Sequence, residues 1–173
     1  MAVRHPICRD KTRPTLWLMT DERMGARLWP ALRALPRGSG VVFRHFATPA
    51  PERAVLLAQV ARVARRRGLR LIEGGTHAQT TALHPAHSVR EAIAARRAGA
   101  TSILVSPVYP TQTHPGARAL GPLRAAAIAR ASGLPAIALG GMTRARFKRM
   151  KVLGLVGWAA IDGLTLDTAR IRS

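Results

Sequence analysis

Short apolar runs alternate with polar, turn-rich breaks along most of the chain. Residues 16–20, 40–45, 69–73, 102–106, 135–139 and 156–161 are short, largely apolar stretches that predict strands, and the run 102–106, bounded by Gly99 and Pro107, reads as a buried one. The segments between them carry the helical period. Leu28, Leu32 and Leu35 form one apolar face that Pro36 and Gly38 stop. Pro49 and Pro51 open a helix expected to bury Val55, Leu56, Val60 and Val63 and to end at Gly68. Ser88-Val-Arg-Glu91 is a capping box, with Ile93 and Ala94 leading to Gly99. Pro122 starts a helix that ends at Gly133, and Thr143 caps another through Met150. Strand starts near residues 15, 40 and 69 repeat a βα unit, and repeated βα units favour a parallel sheet.

The rhythm breaks between Glu73 and Thr81, where no room is left for a helix, and resumes with a strand expected over 81–85. Asp162 and Gly163 lead into a short terminal helix. Residues 1–13 are polar, basic and unpatterned and are expected to be a flexible tail. Residues 14–173 then form a single domain, large enough for a real core. No apolar run approaches the ~18 residues of a membrane span, and no apolar signal core follows the basic N-terminus, so the expected compartment is the cytoplasm. The single cysteine, Cys8, excludes an internal disulfide.

Charge changes this picture most. The 28 basic and 8 acidic residues leave +20, a balance that attracts polyanions. All the basic residues except Lys11, Lys148 and Lys151 are arginines. They are spread over every expected helix, with Arg65-Arg66-Arg67 as the one run. Biased composition accounts for this as well as weak nonspecific nucleic-acid binding does. Aromatics are 4%, too few for the stacking platforms of single-strand binders.

Candidate chemistry gathers in two places. After the strand at 102–106, Pro107, Pro110 and Pro115 exclude helix, and Thr111, Thr113 and His114 put two hydroxyls and an imidazole on one loop. Such a loop suits a phosphate or pyrophosphate, and it equally fits a rigid surface connection. Gly140-Gly141 stands between a strand and a helix, where backbone N–H groups and a helix N-terminus favour an anion; a plain turn is the alternative. His45, His77, His84 and His87 match no standard metal-ligand spacing.

Ser106-Pro-Val-Tyr-Pro-Thr-Gln-Thr-His114 resembles the Gly-Pro-(Val/Ile)-Phe-Pro-Thr-x-Thr-Lys segment of thiamine phosphate synthase and its thiazole tautomerase relatives. Four other stretches resemble that family in the same order: Leu16-Trp-Leu-Met-Thr-Asp21, the Arg44 strand, His87-Ser88, and Ala136-Ile-Ala-Leu-Gly-Gly-Met142. Gly75-Thr-His-Ala78 is faintly similar to the family's fourth strand. The resemblance implies a TIM-type (β/α)8 barrel, shortened, with the helix between strands 3 and 4 missing. It implies a transferase that joins a hydroxymethylpyrimidine pyrophosphate to a thiazole phosphate in thiamine biosynthesis.

Carried over residue by residue, the resemblance makes Arg44 and His114 the catalytic candidates. His87, Thr111, Thr113, Gly140, Gly141 and Asp162 join them in binding substrate or phosphate. The departures are specific. Val42 and Phe46 replace the Gln and Lys that flank the family's Arg, and His114 replaces a Lys. Asp162 stands where a serine helps bind the thiazole phosphate. Pro107 stands where the tautomerase branch has a His. The family's paired magnesium carboxylates reduce to one weak candidate, Glu73. Mg2+ is therefore doubtful, and arginines would have to stand in for it. Three readings stay open: the family's transferase, a non-catalytic or repurposed barrel binding a phosphorylated small molecule, and a basic nucleic-acid-associated protein.

Overall fold

The computed structural model describes residues 13–75, 83–111, 116, 118–161 and 164. Seven parallel strands form one sheet: β1 Leu16–Met19, β2 Gly40–Phe43, β3 Arg70–Glu73, β4 His84–Ala86, β5 Ile103–Val105, β6 Ala136–Ala138 and β7 Gly157–Ala160. The order is β3-β2-β1-β7-β6-β5-β4, in which the first and last strands of the chain are neighbours (Trp17 beside Ala159). This is the cyclic order of a barrel, with β3 and β4 as the two edges among the described residues. Strands β2, β5, β6 and β7 are buried at every position, as a parallel sheet covered by helices requires. The fold is a shortened TIM-type barrel.

Among the described residues, five helices return the chain between strands: α1 Leu28–Ala34, α2 Ala50–Arg67, α3 Val89–Arg97, α4 Gly121–Ser132 and α5 Arg144–Lys151. A 3-10 turn, Glu22–Arg27, precedes α1. Each helix runs back against the sheet, so strand C-terminal ends and helix N-terminal ends share one face. Ten residues, 74–83, separate β3 from β4, too few for a further helix and strand. The expected strand at 81–85 is observed as His84–Ala86; residues 76–82 lie outside the described residues.

The capping box forms as the sequence predicts. The Glu91 N–H donates to Ser88 Oγ (3.2 Å), and the His87 N–H donates to Glu91 Oε2 (2.8 Å). That donated bond holds the Glu91 carboxyl below the usual carboxylate range. Two expectations change. Helix α2 buries only Val60 and Ala64; Val55 is 60% exposed and Leu56 and Val63 are half-buried. The cause is the neighbouring strand: β3 is an edge among the described residues, with Leu71 and Ile72 only half-buried, so the first half of α2 has little sheet to cover. Arg13, grouped with the tail, is anchored, donating to Thr101 O (2.9 Å) and Ser102 Oγ (2.7 Å).

Candidate active site

The strand C-terminal ends bring together residues far apart in sequence. Arg44 follows β2, Glu73 ends β3, His87 follows β4, Thr111 lies on the loop after β5, and Gly140 and Gly141 follow β6. All therefore stand at one end of the sheet. Thr113, His114 and Asp162, the other sequence candidates, lie outside the described residues.

Thr20, just past β1, organises this mouth. Its side chain is fully buried, its Oγ1 accepts from the Arg44 N–H (3.0 Å), and it lies 3.1 Å from His45 Nδ1. Its own N–H donates to Val42 O (2.9 Å). These bonds fix the chain direction where β2 ends, and with it the half-buried Arg44 side chain. His45 stacks on Phe43, with ring centroids 4.7 Å apart, and burial pushes its imidazole below the ordinary histidine value. Asp21 and Glu22 flank the same end. Asp21 is paired with Arg23 (2.7 Å), whose hydrogen bond holds its carboxyl low, and Glu22 accepts from the Ala47 N–H (2.7 Å).

Glu73, the metal candidate of the sequence, is paired with a guanidinium. Arg53, in the first turns of α2, places Nη1 2.5 Å from Glu73 Oε1, donates through Nε to His45 O (3.0 Å), and lies 5.1 Å over the Phe43 ring. Among the described residues no group of three His, Cys, Asp or Glu is arranged to hold a metal ion. The described residues thus do not fit the magnesium that the family resemblance implies. Arg44, in contrast, forms no ion pair with any described residue.

His87 is exposed, with Nδ1 2.6 Å from Ser106 O. A carbonyl only accepts, so Nδ1 carries the proton and, in the neutral ring, Nε2 is left as an acceptor. Gly140 and Gly141 have a packing role. At Gly140 (φ 93) a Cβ would stand 2.8 Å from Pro107 Cα; at Gly141 (φ 57) it would meet Pro110 O and, at 2.9 Å, Tyr109 Cβ. The loop after β5 lies directly on this turn, tied by Val108 N–H to Leu139 O (2.8 Å) and Tyr109 N–H to Gly140 O (3.1 Å). Arg146 closes the corner, 4.4 Å over the Tyr109 ring and donating to Gly141 O.

Sequence reasoning missed Thr20, Arg53 and Arg146 and discounted His45 as an isolated histidine. The available signal was position: Thr20 and His45 directly follow strands, and Arg53 and Arg146 sit in the first turns of helices, which share the mouth.

The thiamine monophosphate synthase family model matches residues 84–164, from β4 to the end of the described chain. No curated protein sequence matches. A thiamine phosphate pyrophosphorylase from Pyrococcus furiosus has a similar structure, with TM-score 0.76 at 18% identity over 91% of this chain and 93% of that one. The native KDPGal structure (TM-score 0.53, 14% identity, 91% and 92% covered) and FabK from Thermotoga maritima (0.53, 14%, 88% and 59%) share the fold more distantly. The second half of the chain thus carries the sequence pattern of the thiamine monophosphate synthase family model, and the chain as a whole is similar in fold to a thiamine phosphate pyrophosphorylase.

Proposed function

We propose that the strand-end mouth binds a pyrophosphate-bearing substrate through arginine and backbone donors, in a thiamine phosphate synthase-like transfer from a hydroxymethylpyrimidine pyrophosphate to a thiazole phosphate. One observation carries this reading: Arg44 is held at the mouth by Thr20 with no ion-pair partner among the described residues, while Arg53 pairs with Glu73, the metal candidate of the sequence. In the family's reaction the leaving group is an anion, and a guanidinium stabilises it as charge accumulates. Arg44 is the described residue fitted to that role. His87 stands at the same end of the sheet, after β4, and Thr111 offers a hydroxyl on the loop packed against Gly140 and Gly141. His114, Thr113 and Asp162 complete the proposed set by resemblance.

A second reading, a barrel that binds a phosphorylated small molecule without catalysis, is favoured by the same Arg53–Glu73 pair. Two measurements separate them. Calorimetry with pyrophosphate, with and without chelator, tests the site: chelator should leave binding unchanged, and its loss on chelation would refute arginine-based capture. Thiamine phosphate formation by the purified protein tests the reaction. Binding without product would support the second reading.

A further inference from the structure

We infer that the end of the barrel opposite the mouth is a binding surface for the phosphate backbone of duplex nucleic acid. The observation is a segregation of charge along the barrel axis. Every carboxylate among the described residues lies at the mouth end: Asp21 and Glu22 after β1, Glu52 in the first turn of α2, Glu73 at the end of β3, and Glu91 in the first turn of α3. The described residues of the opposite end include none, yet all five described helices finish there on basic residues.

The charge is densest where α1 and α2 end. Arg33 is in the last turn of α1, Arg37 in the turn before β2, Arg65, Arg66 and Arg67 in the last turn of α2, and Arg70 opens β3. Backbone bonds hold these segments together. The Gly38 N–H donates to Gly68 O (2.9 Å), and the Arg70 N–H donates to Ser39 O (2.9 Å). Arg67 donates to Leu35 O (3.2 Å), joining the two helix ends. The Arg37 guanidinium lies over Gly68, 3.1 Å from where a Cβ would stand. Arg33, Arg37, Arg65, Arg66 and Arg70 are exposed.

Helix dipoles favour cations at helix C-termini and explain part of this bias. They do not explain Arg37 and Arg70, which lie outside helices, or the lack of any described carboxylate to offset six guanidinium groups. Like charges so gathered repel one another, and an anionic partner relieves that repulsion. The patch is all arginine, whose planar fork pairs bidentately with phosphate. The exposed large apolar side chains Phe46 and Leu123 lie at the mouth end, and Val152, at the end of α5, is the one exposed large apolar side chain among the described residues of the opposite end, so the arginine patch where α1 and α2 end lacks the anchors of a membrane-surface site. It also lacks aromatic side chains, which favours a duplex backbone over stacked single strands. This surface is independent of the mouth and of the reaction proposed there.

The test is fluorescence anisotropy of a labelled 20-base-pair mixed-sequence duplex with the full-length protein, from 50 to 300 mM salt. Arg33→Gln/Arg65→Gln/Arg66→Gln is compared with Arg90→Gln/Arg124→Gln/Arg144→Gln, which removes the same three charges from the mouth end. The first variant should lose about tenfold or more in affinity, with a log–log salt slope shallower by roughly 2 to 3. The second should lose under about threefold. Arg→Lys at the first three positions should retain most of the slope. If the triple glutamine variant fails to fold, Arg66→Gln alone should reduce the slope by about 0.9. Equal losses in the two triples, an unchanged slope in Arg66→Gln, no wild-type binding at 50 mM salt, or binding of anionic lipid vesicles where duplex is not bound would each overturn the inference.

Discussion

Arg44 and Glu73 stand at the ends of neighbouring strands and have opposite fates: Arg44 forms no ion pair with any described residue, and Glu73 is paired with Arg53. Arg44→Ala should therefore weaken pyrophosphate binding by roughly 1.5–3 kcal/mol, the range of a charge-assisted hydrogen bond, read by calorimetry. Glu73→Gln should cost much less; an equal loss would restore a metal-dependent mechanism. His45 makes a separate prediction. Its buried imidazole titrates below the ordinary value of about 6.5, so the unfolded chain binds the extra proton first. The contribution is complete above that value and is lost as pH falls through the lowered native pKa. Thermal melts from pH 7.5 to 5 should fall more steeply for the wild type than for His45→Gln, and parallel curves would show that His45 is not the group responsible.

At the level of elements, the loop after β5 and the turn after β6 form one unit. Gly141 has φ 57, and a side chain there meets the Pro110 carbonyl. Gly141→Ala should destabilise by roughly 1–3 kcal/mol through a strained backbone, and it should displace Thr111 and weaken ligand binding together with stability. A variant that loses neither would show the loop is not docked on this turn. Helix α3 depends on its cap. Ser88→Ala removes an acceptor for the Glu91 N–H and should cost about 1 kcal/mol in denaturant unfolding, leaving the mouth's ligand affinity nearly unchanged.

At the scale of the molecule, a net charge of +20 works against compactness, because self-repulsion rises with charge and is screened by salt. The melting temperature should rise by a few degrees between about 0.05 and 0.5 M NaCl, and further with phosphate at equal ionic strength if the mouth and the basic end both take anions. A melting temperature that falls with salt would mean that the arginines are already offset by internal pairs.

Local pattern sufficed for the elements. Apolar runs, prolines at helix starts, the Ser88 box and the Gly68 and Gly133 stops depend on a few adjacent residues, and each appears within a residue or two of its expected place. The parallel order and the strand-end position of Arg44, Glu73, His87 and Gly140-Gly141 followed from the βα repeat. What tertiary structure alone decided involves partners distant in sequence. Thr20 meets His45 and Arg44, Arg53 meets Glu73, Gly141 meets Pro110, and the ends of α1 and α2 gather six arginines. Those meetings depend on strand register and on how each helix returns across the sheet, and no window of neighbouring residues contains both partners. The exposure of Val55 has the same origin: helical period marks an apolar face, but only the neighbouring strand determines whether that face is covered.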